Sequence, residues 1–274
     1  MTEQQLAPLE TRSPFELRVN LGAGMPETDV RSALASGDLG FLHSFTTGST
    51  VDGPGVRVVA FESENVLVNT GRSAWTPSDG LLSIWILGMF TPTPRTTVAI
   101  PYRQGPEDKL GPIVNDAYFG KVPADRLQAK DGVVFFKGDG ERRSKIGLAP
   151  SRATPILGSW DASRGVLTIV SYTQPANARD YVNSMWEIQK QPYRGDVVNS
   201  YNDGPPAPGA KPMGPFYELE TSSPAAGLAP GASLTHVHRT FHLEGEAADL
   251  DTVARRVLGV SLERIRTALP SPAR

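Results

Sequence analysis

Through most of the chain, apolar and polar residues alternate in short runs, each closed by Gly, Pro, Asn or Asp. That is the pattern of half-buried β-strands joined by tight turns. Residues 57–69 (RVVAFESENVLVN) form the longest run and stop at Asn69-Thr70-Gly71. Residues 81–89, 96–101, 132–137, 165–172, 215–221 and 233–243 repeat the style. Residues 156–160 and 166–172 flank Asp161-Ala162-Ser163-Arg164-Gly165, which reads as a hairpin loop with Gly165 at the position needing positive φ. Residues 200–214 (SYNDGPPAPGAKPMG) read as a loop, because their four prolines cannot donate to a ladder. Only the C-terminal part has helical periodicity. Leu250, Val253, Ala254 and Val257 fall at i, i+3, i+4 and i+7 within residues 248–258, Gly259 supplies the stop, and Ser261 caps a second short helix ending before Pro270. Residues 30–36 are long enough for a turn or two of helix, closed by Gly37. The expected architecture is mostly β: one twisted sandwich over residues 15–246, with C-terminal helices over 247–269 packed on the same domain.

Composition narrows the function classes. Hydrophobic residues at 39% and charged residues at 20% are enough for a buried core. With 27 glycines and 24 prolines in 274 residues, a coiled coil or helical bundle is excluded. Net charge is −2, and no basic stripe of the kind a nucleic-acid protein carries is present. The longest apolar stretch, residues 80–90, is about half of the roughly 20 residues a membrane helix needs, so no membrane span is expected. The opening MTEQQLAPLETRSP has neither basic start nor apolar stretch, which fits a cytoplasmic protein as written, or a periplasmic or exported one after signal removal. Without cysteine there are no disulfides, thiolate nucleophiles or Cys-held metals. No G-x-S-x-G, P-loop, H-E-x-x-H or strand-linked G-x-G-x-x-G occurs, so no nucleotide or flavin is expected.

The chemistry concentrates near the C-terminus. Three of the four histidines lie in His236-Val237-His238-Arg239-Thr240-Phe241-His242. On a strand His236, His238 and His242 share one face, and Val237, Phe241 and Leu243 the other. Upstream, Glu218 and Glu220 share a face of their own strand, and residues 222–231 are long enough to return the chain beside it. Neighbouring strands in register would then join two carboxylates to the imidazoles. Glu218, His236, His238 and His242 would suit a divalent metal such as Zn, Mn, Ca or Fe. The same groups suit metal-free acid–base work, with Glu220 and His236 as the pair, and a solvated polar face is the plain alternative. The metal reading is slightly favoured. His43 reads as structural, and Glu62 and Glu64 as solvent-facing rather than part of the site. Asn202 and Asp203 suit either turn chemistry or recognition of sugar hydroxyls. Arg142-Arg143-Ser144-Lys145 is either an exposed turn or a clamp for an acidic sugar. Trp85, Trp186 and Tyr118 would stack on a sugar ring or fill the core.

Two stretches resemble the galactose mutarotase-like (aldose 1-epimerase) superfamily. One is residues 66–75 (VLVNTGRSAW) with 80–85 (GLLSIW). The other is Leu219-Glu220-Thr221 with residues 228–235 (LAPGASLT) and Arg239-Thr240-Phe241. The resemblance implies a twisted supersandwich and a general-base role for Glu220 at the anomeric hydroxyl. It departs at Leu82, where that superfamily carries its catalytic His, so the usual acid is missing. Residues 115–120 (NDAYFG), 201–205 (YNDGP) and 217–221 (YELET) look more closely like a bacterial group of mutarotase-like proteins without an assigned activity. Members of that group often carry extra N-terminal strands, which implies a shortened version here and a homo-oligomer covering the exposed surface. The resulting expectation is a carbohydrate-active enzyme transferring protons on a sugar, of epimerase, isomerase or lyase type. A non-catalytic carbohydrate-binding module, a glycoside hydrolase and a purely structural domain remain as alternatives.

Overall fold

The computed structural model describes residues 15–21, 49–52, 56–185 and 187–270. Its strands are β1 (Phe15–Leu21), β2 (Ser49–Asp52), β3 (Val56–Asn69), β4 (Trp85–Phe90), β5 (Thr96–Pro101), β6 (Leu127–Lys130), β7 (Val133–Lys137), β8 (Ser144–Leu148), β9 (Ile156–Asp161), β10 (Val166–Tyr172), β11 (Val198–Asn202), β12 (Tyr217–Ser222) and β13 (Ser233–Gly245). A one-turn helix α1 (Glu107–Leu110) sits mid-chain, and α2 (Ala247–Val257) and α3 (Leu262–Thr267) follow the last strand. The protein is mostly β, built from two antiparallel sheets. The large sheet runs β1-β3-β13-β10-β9-β5-β7-β6, with β2 also on β3, and the small sheet runs β4-β12-β11-β8.

Strand alternation sorts the side chains into three layers. One face of the large sheet, including Val58, Ala60, Phe135, Leu167, Phe241 and Leu243, packs on α2 and α3 through Leu250, Ala254, Leu258 and Ile265. Its other face, including Val98, Ile100, Val134, Phe136, Leu157 and Val170, packs on Ile146, Leu148, Val198, Tyr217 and Leu219 of the small sheet. Among the described residues no helix packs on the outward face of the small sheet. Gly165 and Gly259 adopt φ of 69°, as the hairpin and helix-stop readings require, and Ser261 Oγ accepts from Arg264 N at 3.1 Å. Among the described residues no helix is long and apolar enough to cross a membrane.

Three expectations change. The stretch at Ser144 is not an exposed turn but the start of β8, buried from end to end. The loop of residues 200–214 begins later, because β11 runs to Asn202 before the first proline. Above all, β12 and β13 are not neighbours: β12 pairs with β11 and β4, whereas β13 pairs with β3 and β10. The connection crosses from one sheet to the other. His43, Trp186 and residues 30–36 lie outside the described residues.

Candidate functional site

On β12, Tyr217, Leu219 and Thr221 point into the sandwich, so Glu218 and Glu220 point to the outward face of the small sheet. The register brings Lys145, Tyr201, Glu218 and Met89 into one row across the four strands, and Gly147, Asn199, Glu220 and Leu87 into the next. Lys145 Nζ donates to Glu220 Oε2 at 2.8 Å, with the two side chains 5% and 0% exposed. Trp85 Nε1 donates to the same oxygen at 2.8 Å. The Lys145 ammonium also sits 4.6 Å from the Trp85 ring centroid and 5.1 Å from that of Tyr118, a cation held by two aromatic rings and a carboxylate. Among the described residues Glu220 Oε1 meets no N–H donor.

Trp85, Tyr118, Lys145 and Glu218 help to line a cavity of about 330 Å³, within the usual size range of small-molecule sites. Trp85, Tyr118, Phe119, Tyr201 and Phe216 supply aromatic surface, Leu87, Met89 and Met213 apolar surface, and Glu218, Lys145, Arg143 and Ser184 polar groups. Burial, and then the adjacent Glu220 carboxylate, raise the Glu218 pKa to about 8, with Lys145 acting the other way. Glu218 therefore holds a proton at neutral pH beside an ion-paired Glu220. Glu220 itself is not part of the cavity wall.

A second polar group fixes the aromatic side. Tyr118 Oη donates to Asp196 Oδ2 at 2.6 Å, and Asn115 Nδ2 donates to the same oxygen at 3.0 Å. Asn199 Nδ2 donates to Tyr118 Oη at 2.8 Å. Burial raises the Asp196 pKa against the lowering effect of those donors, and burial with Asp196 raises that of Tyr118. A Cβ at Gly147 would overlap the Asp196 carboxylate and the Asn199 amide. Only glycine leaves that space.

The histidines lie elsewhere. His236 Nε2 and His238 Nδ1 both meet Thr221 Oγ1 at 2.9 Å, inside the sandwich and behind the sheet whose other face carries Glu220. His242 Nδ1 meets Thr168 Oγ1 at 3.0 Å on the same inner layer. Burial lowers His236 to about 4; burial, and next His236, lower His238 to about 3; burial lowers His242 as well. The expected joining of Glu218 with His236, His238 and His242 does not occur, because a sheet's thickness separates them. Among the described residues no three His, Asp or Glu side chains are grouped to hold a metal ion. His236 is likewise out of reach of Glu220 as an acid partner.

Asn202 and Asp203 do not face the cavity. Asn202 Oδ1 accepts from Gly140 N at 2.8 Å, and its Nδ2 donates to Arg142 O at 2.9 Å. Asp203 accepts from Tyr201 Oη at 3.0 Å and Gly214 N at 2.8 Å. Glu62 pairs with Arg239, and Leu82 packs in an apolar cluster with Trp75 and Leu81. Trp85, Tyr118, Arg143, Lys145 and Glu218 do come together. Sequence reading missed Phe119, Tyr201, Phe216 and the Asp196–Asn199 support. Phe119 and Tyr201 do fall within the segments 115–120 and 201–205 that carry the family likeness, and Tyr201 shares a strand face with Asn199.

A family model described as a family of unknown function (DUF6786) matches residues 46–269. No curated protein matches in sequence. Among solved structures, the Slr1438 protein of Synechocystis sp. PCC 6803 is similar at 14% identity and TM-score 0.37, over 70% of this chain and 55% of that one. An Escherichia coli K12 protein provisionally named an aldose 1-epimerase is similar at 16% identity and TM-score 0.39, over 73% of this chain and 62% of that one. The chain thus spans less than two thirds of either structure.

Proposed function

The chain belongs to DUF6786, a family whose description carries no activity, and we propose from the site's geometry that it transfers protons on a carbohydrate bound over the small sheet. The observation that carries this reading is the Glu218–Glu220 pair: two carboxylates on one strand face, one reaching an aromatic-walled cavity and the other ion-paired behind it. Aromatic surface suits the C–H faces of a sugar ring, while buried carboxylate and ammonium groups suit its hydroxyls. The motif likeness around Glu220 supplies the carbohydrate context.

In this scheme Glu218 is the catalytic residue, because it reaches the cavity. Its retained proton goes to a ring or exocyclic oxygen, and the carboxylate so formed takes a proton back from a neighbouring hydroxyl, returning the protein to its starting state. Glu220 keeps Glu218 protonated at rest, and Lys145 neutralises Glu220. One observation favours a second reading, a binding module without turnover: Glu220, which the motif likeness marks as the base, is fully buried and already neutralised.

The test is Glu218→Gln. Proton-transfer turnover on a panel of aldoses, followed by exchange NMR, should fall at least about 100-fold while ligand binding persists. Turnover undiminished in the variant removes Glu218 from the mechanism. Binding of sugars by the wild-type protein without any turnover selects the module.

A further inference from the structure

Arg143 is a cation in the cavity wall that has no ion-paired carboxylate among the described residues. It precedes β8 by one residue and, two positions from Lys145, emerges on the same outward face. Its guanidinium lies 3.9 Å from the centroid of the Phe119 ring. The aromatic face holds the cation in place without consuming its N–H donors, and of the five on a guanidinium the hydrogen bond to Tyr201 engages one. Elsewhere Arg126 pairs with Asp139 and Arg239 with Glu62, while Arg152 and Arg103 spend their donors on backbone carbonyls. Among the described residues Arg143 has no such ion pair. The nearby carboxylates are engaged, since Asp203 accepts from Tyr201 Oη and Gly214 N, and Glu220 accepts from Lys145 and Trp85.

Resting on the carbohydrate reading above, we infer that the ligand is an anionic sugar whose carboxylate or phosphate is received by Arg143 while its ring lies toward Glu218. The placement allows this. Lys145 and Glu218 lie on strands separated only by β11, about 9.5 Å apart in the sheet, and Arg143 extends the cavity beyond Lys145. A planar guanidinium held by a ring presents a fork matched to carboxylate or phosphate oxygens. Neutral sugars would leave that fork to water.

The test compares the binding of glucose, galactose, glucuronate, galacturonate and glucose 6-phosphate to the full chain by calorimetry, with acetate and inorganic phosphate as sugar-free anions. The expected result is at least about ten-fold tighter binding of one acidic class than of its neutral parent. Arg143→Met should erase that preference, and Arg143→Lys should retain part of it. Whether the uronates or the phosphate gain identifies the anion. Equal binding of acidic and neutral sugars, unchanged in Arg143→Met, overturns the inference and leaves the carbohydrate reading standing. Acetate or phosphate binding as tightly as the acidic sugars, or no sugar binding at all, overturns both.

Discussion

The two faces of β12 solve the same problem in opposite ways. Both bury polar groups, yet one holds charge and the other excludes it. Outward, Glu220 is ion-paired with Lys145 and bonded to Trp85. Inward, one residue later, Thr221 takes two neutral imidazoles on a single hydroxyl. Burial favours the uncharged form of Glu218 and of His236 and His238 alike, so the difference lies in Lys145. Only where a cation is built in does a charge persist at that depth. Low polarity alone does not make a site; a fixed counter-charge beside a titratable neighbour does.

Removing that cation should have the largest effect. Lys145→Met leaves the Glu220 carboxylate buried without a partner, and a loss of about 3–5 kcal/mol is expected in urea unfolding. Adding Glu220→Leu should recover much of it; a single variant as stable as wild type would mean that the pair contributes nothing net. Breaking the inner face should be milder. Thr221→Val removes the hydroxyl shared by His236 and His238 and should lower stability by about 1–3 kcal/mol. Ligand affinity should stay unchanged, because Thr221 faces away from the cavity, and a change in affinity would show that the faces are coupled.

The finest test is the pH dependence of stability, where the faces differ in sign. Glu218, raised from 4.5 to about 8, stabilises fully below pH 4.5 and loses that contribution as pH rises through about 8. His236 and His238, lowered from 6.5 to about 4 and about 3, stabilise fully above pH 6.5 and lose that contribution as pH falls toward those values. Between 4.5 and 6.5 the two trends oppose each other. Each contributes a slope of up to about 1.4 kcal/mol per pH unit for one proton. In Glu218→Gln the decline from pH 4.5 to 8 should vanish while the acid-side loss remains. An unaltered alkaline decline would mean that Glu218 is not the group responsible.

Much of this was legible along the chain, because alternation reports which residues share a face. The pairing of Glu218 with Glu220, the common face of His236, His238 and His242, and the apolar side of Phe241 and Leu243 all follow from a period of two. Alternation does not report which sheet a strand joins. Residues 222–231 are long enough for a hairpin return and equally for a crossing between sheets, and they make the crossing. The histidines, read as metal ligands, acid–base groups or a solvated face, instead lie inside the sandwich, where Thr221 of the facing sheet meets His236 and His238 and Thr168 of their own sheet meets His242. β8 was missed for a related reason: Arg142, Arg143 and Lys145 look like a charged turn, whereas Lys145 is neutralised by Glu220, 75 positions away. Long-range counter-charges leave no local trace.

One glycine ties the rim of the cavity to its cation. A Cβ on Gly204 would overlap the backbone of Arg142 and Arg143, so the start of the proline-rich segment rests directly on the turn that bears the guanidinium. The two loops share a seam with no side chain between them. Any bulk introduced there would prise that seam open from behind, shifting the Arg143 backbone without touching a group that faces the ligand.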